Sequence, residues 1–353
     1  MRRCDRRSLL SLLPAALLVA ALAWLPAVAG EPPAAGAAAE TVDVTILHIN
    51  DPHGHLEPYM EDGKSVGGYA RLSTLVDEIR KSSRAARVFL VHAGDEFSRG
   101  DDLTRATLGA ANLDILNLLK FDLWVPGNGD YYDGADNLRA RIRQARFPVL
   151  AANVKFKPSG DPVGKPYVIE KAGPVRMAFF GICWLKPQHD SFNSFQVADQ
   201  TATARLLVPE LRKQADVVVG VMHYGAPLEK RLAETVGGID VLLGAHTHTV
   251  LPTGVRVKGL DGRETLICQG GLNMHYLGRL DLKLKRLGAA WQIESASDVL
   301  IPIDDKVKLD PAVTARIAKL AAEAPPLPPE AKTPPAKPQP VGAGKGQEER
   351  GTK

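Results

Sequence analysis

Side chains that bind divalent metals follow several apolar segments of this sequence. They comprise two aspartates, four histidines and one asparagine: Asp51, His53, Asp95, Asn128, His223, His246 and His248. Carboxylate, imidazole and amide groups suit divalent ions such as Mn, Zn or Fe(II). Seven ligands are too many for one tetrahedral ion, but they suit two ions that share a bridging carboxylate. Because two-metal sites clamp a phosphoryl group and activate a water, the residue types predict a hydrolytic centre.

Some of these motifs indicate a metal site more strongly than others. Asp51 and His53 form a short and common Asp-x-His motif, and a single histidine such as His223 is more often a hydrogen-bonded core residue. His246 and His248 are more informative, because alternate residues of an extended segment point to the same side. The combination is the strongest indication, since five successive segment ends carry such residues.

Strands must position these residues, and the sequence predicts them. Apolar, β-branched segments such as VDVTILHIN (42–50), RVFLVHAGD (87–95) and FPVLAANV (147–154) alternate with segments of helical periodicity, including 102–120 and 135–145. The last segments lack helical periodicity and predict antiparallel strands. This order indicates one α/β domain with two packed sheets flanked by helices. Since ligands of such folds gather at the carboxyl ends of strands, the polar residues found there can converge.

The motifs resemble those of the calcineurin-like metallophosphoesterases, in the branch of the bacterial 5′-nucleotidases and 2′,3′-cyclic phosphodiesterases. The similarity runs through ILHINDPHGHLEP, VHAGDEFSRG, GNGD, VMHYG and GIDVLLGAHTH in the family's order, and covers about residues 42–285. It implies a four-layer αββα sandwich of two mixed β-sheets flanked by helices. It also implies how the ligands are shared: Asp51, His53 and His248 on one metal, Asn128, His223 and His246 on the other, and Asp95 as the bridge.

One position departs from the family pattern. The family carries a histidine after the asparagine of GNGD, and that side chain faces the substrate, whereas this chain has Gly129. General acid catalysis contributes about 10²–10⁴-fold, so its loss would slow an enzyme that depends on it. Three explanations stay open: another group substitutes, the substrate has a good leaving group, or efficient turnover has been lost. Asp130 and His55 are the predicted catalytic residues, and His275 and Tyr131 are further candidates for the substitute.

Several other residues carry weaker predictions. Asn153 and Gly271 are the predicted substrate-binding positions, although a loop asparagine also forms turns and a glycine pair also bends a strand. Packing roles are expected for His48, His92, Trp184, Trp291 and Phe156. Cys183 and Cys268 either pair in an oxidising compartment or remain buried thiols.

The two ends of the chain differ from its centre. Residues 1–29 combine a basic start, an apolar stretch and an Ala-Val-Ala end, which is typical of a cleaved export signal. Arg6 and Arg7 favour the twin-arginine type, and an uncleaved membrane anchor is the alternative. The remaining boundaries are a linker over 30–41, the metallophosphoesterase domain over 42–308, a short helix over 309–323 and a disordered Pro-rich tail over 324–353. The protein is therefore expected in the periplasm or outside the cell.

The charge of the chain gives no reason to expect a nucleic-acid partner. Residues 1–29 carry four Arg and one Asp, so the rest of the chain has 40 basic and 39 acidic side chains. A near-neutral protein lacks the electrostatic footprint of a nucleic-acid-binding surface. No membrane span is expected after cleavage of the signal, and the sequence does not identify a partner for the Pro-rich tail.

These observations predict an exported hydrolase of phosphate esters that uses two divalent ions, Mn, Zn or Fe, on a small-molecule substrate. Full nucleotidases of this branch carry a C-terminal domain that grips the nucleoside. The segment after residue 308 is too short and too Pro-rich to form one, which weakens the case for a nucleotide substrate. Two alternatives remain: a sulfur-ester or thiosulfonate hydrolase with the same metal clamp, or a metal- or phosphate-binding protein without turnover.

Overall fold

The computed structural model describes residues 40–97, 99–185 and 189–327. The predicted export signal, residues 30–39 of the predicted linker and residues 328–353 of the predicted tail lie outside this part of the chain. Within the described ranges, we find no helix long and apolar enough to cross a membrane.

Strands and helices alternate through the described chain. The strands are β1 (Thr41–Ile49), β2 (Tyr59–Glu61), β3 (Lys64–Val66), β4 (Arg87–His92), β5 (Leu123–Trp124), β6 (Val154–Phe156), β7 (Tyr167–Ala172), β8 (Val175–Cys183), β9 (Phe195–Val197), β10 (Val217–His223), β11 (Val241–Leu243), β12 (Val255–Lys258), β13 (Glu264–Cys268), β14 (Tyr276–Leu287) and β15 (Ala290–Pro302). The helices are α1 (Tyr69–Ser82), α2 (Asp102–Ala106), α3 (Ala110–Leu119), α4 (Gly134–Gln144), α5 (Gln200–Arg212), α6 (Ala226–Thr235) and α7 (Pro311–Glu323), with 3-10 turns at Asn128–Tyr131 and Asp190–Ser194.

Two mixed sheets form the centre of the fold. The first sheet has the order β15-β14-β1-β4-β5, in which β1, β4 and β5 are parallel and β14 is antiparallel to both neighbours. The second has the order β12-β13-β11-β10-β8-β7, with four parallel central strands and an antiparallel strand at each edge. The carboxyl ends of the parallel strands in each sheet therefore meet at one edge.

Three hydrophobic clusters define four layers. Alternate residues of β1 point to opposite faces, so Ile46 packs between the sheets while Leu47 packs towards α1 and α3. In β8, Phe179 joins the cluster between the sheets and Phe180 joins the cluster under α5 and α6. Both faces of each sheet are thus covered, which explains why β8 and β10 are almost continuously apolar. The predicted four-layer αββα sandwich is confirmed.

Two predicted elements differ from the structure. The helix expected over 102–120 is interrupted, because Leu108 and Gly109 have left-handed backbone with φ of 48° and 78°. The strand expected over 147–154 forms isolated bridges instead, since Val149 pairs with Trp124 while Leu150 pairs with a separate segment at Lys165.

Helix α7 packs onto the same domain. The Asp310 side chain accepts hydrogen bonds from the backbone of Ala312 and Val313, at 2.8 and 3.3 Å, and Pro311 occupies the first turn, as is typical of a helix start. Val313 and Ile317 belong to the core cluster that contains α1 and α3. The packed unit therefore continues beyond the predicted domain boundary at residue 308.

Candidate metal centre

The predicted metal ligands lie at the carboxyl ends of strands from both sheets. The first sheet supplies Asp51 and His53 after β1, Asp95 after β4 and Asn128 after β5; the second supplies His223 at the end of β10, and His246 and His248 after β11. The site therefore lies across one edge of the sandwich, where both sheets contribute.

Five of these residues have left-handed backbone: Asp51 (φ 50°), His53 (49°), Asp95 (58°), His246 (75°) and His248 (56°). This conformation is uncommon for residues other than glycine and persists where the surroundings stabilise it, often at functional sites. Here backbone hydrogen bonds stabilise it, because the Asp51 amide donates to Gly94 O and the His53 amide donates to Asp95 O, each at 2.9 Å. The loops after β1 and β4 thus hold each other in place.

One group of ligand atoms consists of Asp51 Oδ1, His53 Nε2 and His248 Nε2. The two imidazole nitrogens lie 3.0 Å apart, and Asp51 Oδ1 lies 3.9 Å from the first and 3.5 Å from the second. Tetrahedral zinc with bonds of about 2.0–2.1 Å keeps its ligand atoms roughly 3.3 Å apart. The spacing of this group therefore fits a divalent ion.

A second group surrounds His223. Its Nε2 atom lies 3.3 Å from Asp95 Oδ1, 3.2 Å from Asn128 Oδ1 and 3.8 Å from Asp51 Oδ1. Asp51 Oδ1 is thus close to both groups. Asp95 also lies near both, because its Oδ2 is 3.9 Å from His53 Nδ1. The bridging role of Asp95 stays a prediction.

His246 lies beside the second group. Its ring packs edge-on against His223, with centroids 5.2 Å apart, and against Trp184 at 4.9 Å. Its backbone amide donates to Asp51 Oδ2 at 2.9 Å. Burial and the neighbouring His223 lower the pKa of His246 to about 4, so the imidazole is neutral, as a metal ligand must be.

The centre carries negative charge that calls for a cation. Asp51 and Asp95 are buried, and Asp51 Oδ1 has no hydrogen-bond partner among the described residues. Burial opposes the charged form of His223, yet Asp95 and Asp51 outweigh it and raise the pKa of His223 to about 10, so these carboxylates favour a positive charge here and a metal ion would have to displace the His223 proton. Asp95 and His223 pack directly against Gly127, where a Cβ would collide with Asp95 Oδ1, so a residue without a side chain leaves room for them. Two buried carboxylates surrounded by imidazoles fit divalent metal ions.

Asn50 fixes the orientation of Asp51, and the sequence did not single it out. Its Nδ2 donates to Asp51 Oδ2 at 2.8 Å and to Gly271 O at 2.7 Å, while its Oδ1 accepts from the Gly270 amide at 2.8 Å. These contacts leave Asp51 Oδ1 directed at the histidines. The available signal was an asparagine directly before the aspartate at a strand end.

His92 supports the loop that carries Asp95. Its Nε2 pairs with Glu96 Oε2 at 2.7 Å, and its Nδ1 accepts from the Gly94 amide at 2.9 Å. Tyr69 donates to the same Glu96 oxygen at 2.5 Å. The prediction that His92 is a satisfied core histidine is confirmed.

The other predicted packing residues also lie in the interior or beside the site. His48 is buried and pairs with Asp298 at 3.1 Å. Trp291 and Phe156 are buried, whereas Trp184 is partly exposed against His246. Cys183 and Cys268 are buried free thiols.

Asp130 is engaged with backbone rather than with the centre. Its Oδ2 accepts from the amides of Asp95 and Gly127, at 3.0 and 2.7 Å, and its Oδ1 accepts from Phe97 at 2.9 Å. The side chain is 1% exposed. The geometry gives Asp130 a role in holding two ligand loops together, and its predicted catalytic role has no support from these contacts.

His55, His275 and Tyr131 are the other candidates to substitute for the histidine that Gly129 replaces. His55 stacks on Tyr59 with ring centroids 4.2 Å apart, and burial lowers the pKa of His55 to about 4. His275 Nε2 lies 2.8 Å from Tyr59 Oη and 2.7 Å from Glu61 Oε2. Tyr131 is fully buried against Phe195. His55 and His275 thus form a wall with Tyr59, and Tyr131 is a core residue.

Tyr132 reaches the centre instead, and the sequence did not single it out. Asn128 Nδ2 donates a hydrogen bond to its phenol oxygen at 2.9 Å. Two adjacent tyrosines gave no pattern to tell which one faces the site.

The predicted substrate-binding positions are also engaged within the fold. Asn153 Nδ2 donates to Cys183 O at 2.7 Å and its Oδ1 accepts from the Cys183 amide at 3.0 Å, so its amide fastens a loop to the end of β8. Gly271 lies next to the centre through its carbonyl contact with Asn50 and has φ of 78°. Gly271 therefore supports the β1 loop, and a substrate contact for either residue stays a prediction.

The domain with this centre has a recognisable family. The sequence profile described as calcineurin-like phosphoesterase matches residues 44–250, which is more than half of the chain and includes all seven predicted ligands. The chain therefore belongs to the calcineurin-like phosphoesterase family. The family resemblance found in the sequence is confirmed.

Curated proteins similar to this chain are named as nucleotide phosphoesterases. Human 5′-nucleotidase is 30% identical over 338 residues, covering 87% of this chain and 55% of the relative. The 2′,3′-cyclic-nucleotide 2′-phosphodiesterase/3′-nucleotidase of Yersinia enterocolitica is 29% identical over 317 residues, covering 76% of this chain and 47% of the relative. This chain thus spans about half the length of the curated relatives it matches.

Solved structures share the fold. The 5′-nucleotidase precursor from Thermus thermophilus aligns with a TM-score of 0.71 at 23% identity, covering 80% of this chain and 59% of that one. The sulfate thiohydrolase SoxB from the same organism aligns with a TM-score of 0.68 at 22% identity, covering 79% and 60%. At these identities the likeness shows the architecture of the sandwich.

Proposed function

We propose that this chain is an exported, two-metal hydrolase of phosphate esters of the 5′-nucleotidase type. The observation that carries the proposal is the environment of Asp51 Oδ1. This buried oxygen lacks a hydrogen-bond partner in the described chain and lies within 3.9 Å of nitrogens of His53, His223 and His248. An unpaired buried carboxylate oxygen lowers stability, and a divalent ion would remove that penalty.

The two groups of ligand atoms would each hold one ion. Asp51, His53 and His248 would hold the first, and Asp95, Asn128 and His223 the second, with His246 beside it. Bound divalent ions stabilise the charge on phosphoryl oxygens and activate a water molecule. The residues of the chain orient these ligands, since Asn50 fixes Asp51 and the Gly129 amide donates to Asp95 Oδ1 at 2.6 Å.

Nucleoside monophosphates and cyclic nucleotides are the proposed substrates to test first. The proposal follows the names of the curated relatives, a 5′-nucleotidase and a cyclic-nucleotide phosphodiesterase. Export is supported by the composition of residues 1–29. SoxB, a sulfate thiohydrolase, has the same fold at 22% identity. The alternative that this chain hydrolyses sulfur esters stays a prediction.

Hydrolysis by the purified full chain after loading with Mn²⁺ tests the proposal. The substrates are a nucleoside monophosphate, a cyclic nucleotide and a nitrophenyl diester. Asp95→Ala removes a carboxylate of the centre, and Asp77→Ala, on the exposed face of α1, is the matched control. We expect metal-dependent turnover in the wild type and in Asp77→Ala that is lost in Asp95→Ala. Equal, background rates in all three proteins with metal still bound would favour the binding protein without turnover.

A further inference from the structure

Tyr132 places a phenol next to a candidate metal ligand. Asn128 Nδ2 donates to the phenol oxygen at 2.9 Å, while Asn128 Oδ1 lies 3.2 Å from His223 Nε2. A phenol is both donor and acceptor, so the contact with Asn128 uses its oxygen and leaves its proton free. No nitrogen or oxygen of the described residues accepts that proton.

Two neighbouring rings hold the ring of Tyr132, and the residue stays partly exposed. It stacks on Phe192, with centroids 5.7 Å and planes 22° apart, and lies 4.5 Å from the ring of His189. Phe192 is buried, whereas Tyr132 is partly exposed. A donor whose side chain is already ordered loses little conformational freedom when it binds an anion.

A phosphate oxygen is a fitting partner for the free proton of Tyr132. The hydroxyl lies next to the candidate ligand Asn128, so an anion held at the metal centre would lie within reach of it. A hydrogen bond from an O–H to a charged oxygen is stronger than one between neutral groups.

We propose that the Tyr132 hydroxyl donates a hydrogen bond to an oxygen of the phosphate ester held at the metal centre. Tyr132 is then a substrate-contacting residue on the Asn128 side of the site. This inference rests on the proposed function, because it assigns one more contact to the same centre. Tyr131 cannot make the contact, since it is fully buried against Phe195 with centroids 4.8 Å apart.

Tyr132→Phe and Tyr131→Phe form a matched pair of variants. Each removes one hydroxyl and keeps the ring, but only Tyr132 contacts Asn128. Calorimetry would measure two affinities for each full-length protein: that for Mn²⁺, and that of the Mn²⁺-loaded protein for inorganic phosphate. Hydrolysis would be measured on the same samples. We expect Tyr132→Phe to weaken phosphate binding about 10- to 100-fold, because a hydrogen bond to a charged group is lost. Its Mn²⁺ affinity and the phosphate affinity of Tyr131→Phe should stay at the wild-type value.

The other outcomes show whether the contact or the proposed function fails. Unchanged phosphate affinity in Tyr132→Phe, or no phosphate binding by the loaded wild type, removes the contact. A parallel loss of Mn²⁺ affinity means that Tyr132 only orients Asn128. Wild-type hydrolysis with an unaffected Tyr132→Phe refutes the contact and keeps the proposed function. Phosphate binding that depends on Tyr132 without hydrolysis keeps the contact and refutes the proposed function.

Discussion

Glu229 connects the two loops that carry His223 and His246, and its protonation should control stability. Its Oε1 accepts from the amides of Gly225 and Ala245, at 3.0 and 3.2 Å. The carboxyl is fully buried, and Oε2 has no hydrogen-bond partner within the described ranges. Burial raises the pKa of Glu229 from 4.5 to about 8, because the amide donors and His223 offset only part of the desolvation.

The sign of the pH dependence follows from this shift. A carboxyl whose pKa is raised by folding binds its proton more tightly in the folded state. The free energy of unfolding is therefore full below pH 4.5 and falls until about pH 8. Each pH unit in this window lowers it by about 1.4 kcal/mol, which gives about 3 kcal/mol between about pH 5.5 and about pH 8. Glu229→Gln keeps the shape and stays neutral, so we expect it to match the wild type below about pH 4.5 and to exceed its free energy of unfolding by about 4 kcal/mol at about pH 8.

Urea unfolding of metal-free protein in EDTA, followed by circular dichroism across this pH range, measures the effect. Glu234→Gln is the matched control, because Glu234 lies exposed on the same helix α6 and should follow the wild type. If the wild type and Glu229→Gln lose stability with the same slope, Glu229 is charged in the fold and the reasoning from burial is wrong.

Four further substitutions test the supports of the centre and the position of the missing histidine. Asn50→Ala should lower the free energy of unfolding by about 2–4 kcal/mol and weaken Mn²⁺ binding at least about tenfold, because it removes buried hydrogen bonds and frees Asp51. Asn153→Ala is the control, because it removes comparable buried hydrogen bonds away from the ligands. It should lower the urea midpoint while the Mn²⁺ affinity measured by calorimetry stays at the wild-type value. Equal Mn²⁺ affinities in Asn50→Ala and Asn153→Ala would contradict the role of Asn50. Asp130→Asn should lower the free energy of unfolding by about 1–3 kcal/mol, because the two carboxylate oxygens of Asp130 accept three backbone amides and an asparagine has only one acceptor oxygen. An unchanged urea midpoint would refute that account. Gly129→His should raise kcat for esters with poor leaving groups, up to about 10²–10⁴-fold, whereas lower rates on every ester would mean that Gly129 makes room for the substrate.

The location of the centre was predictable because it depends on topology. Parallel strands bring their carboxyl ends to one edge, so residues after β1, β4, β5, β10 and β11 must come close whatever the details of the loops. The types of those residues then restrict the chemistry. The Val, Ile and Thr content of residues 42–50 similarly predicted the strand that the structure has as β1.

The contacts that orient the ligands were not predictable, because they depend on backbone conformations that no residue pattern signals. Asp51 and His53 adopt left-handed φ angles that their side chains do not favour. Tyr131 and Tyr132 are adjacent and identical, and the 3-10 turn at Asn128–Tyr131 decides which ring enters the core. Gly109 was visible in the sequence, yet helical periodicity on both sides of it concealed the break before α3.

The division of the ligands between two sheets links metal binding to the packing of the sandwich. Asp51 follows a strand of the first sheet, yet its Oδ2 accepts the His246 amide from the second at 2.9 Å, and His223 Nδ1 lies 2.9 Å from Ala93 O. These contacts span the edge where the two sheets meet. Any ion held by Asp51 and His223 together therefore ties the sheets to each other, and its binding free energy adds to the stability of the fold. His246 is one of the ligands with left-handed backbone, and the bond from its amide to Asp51 is one of the contacts that stabilise that conformation.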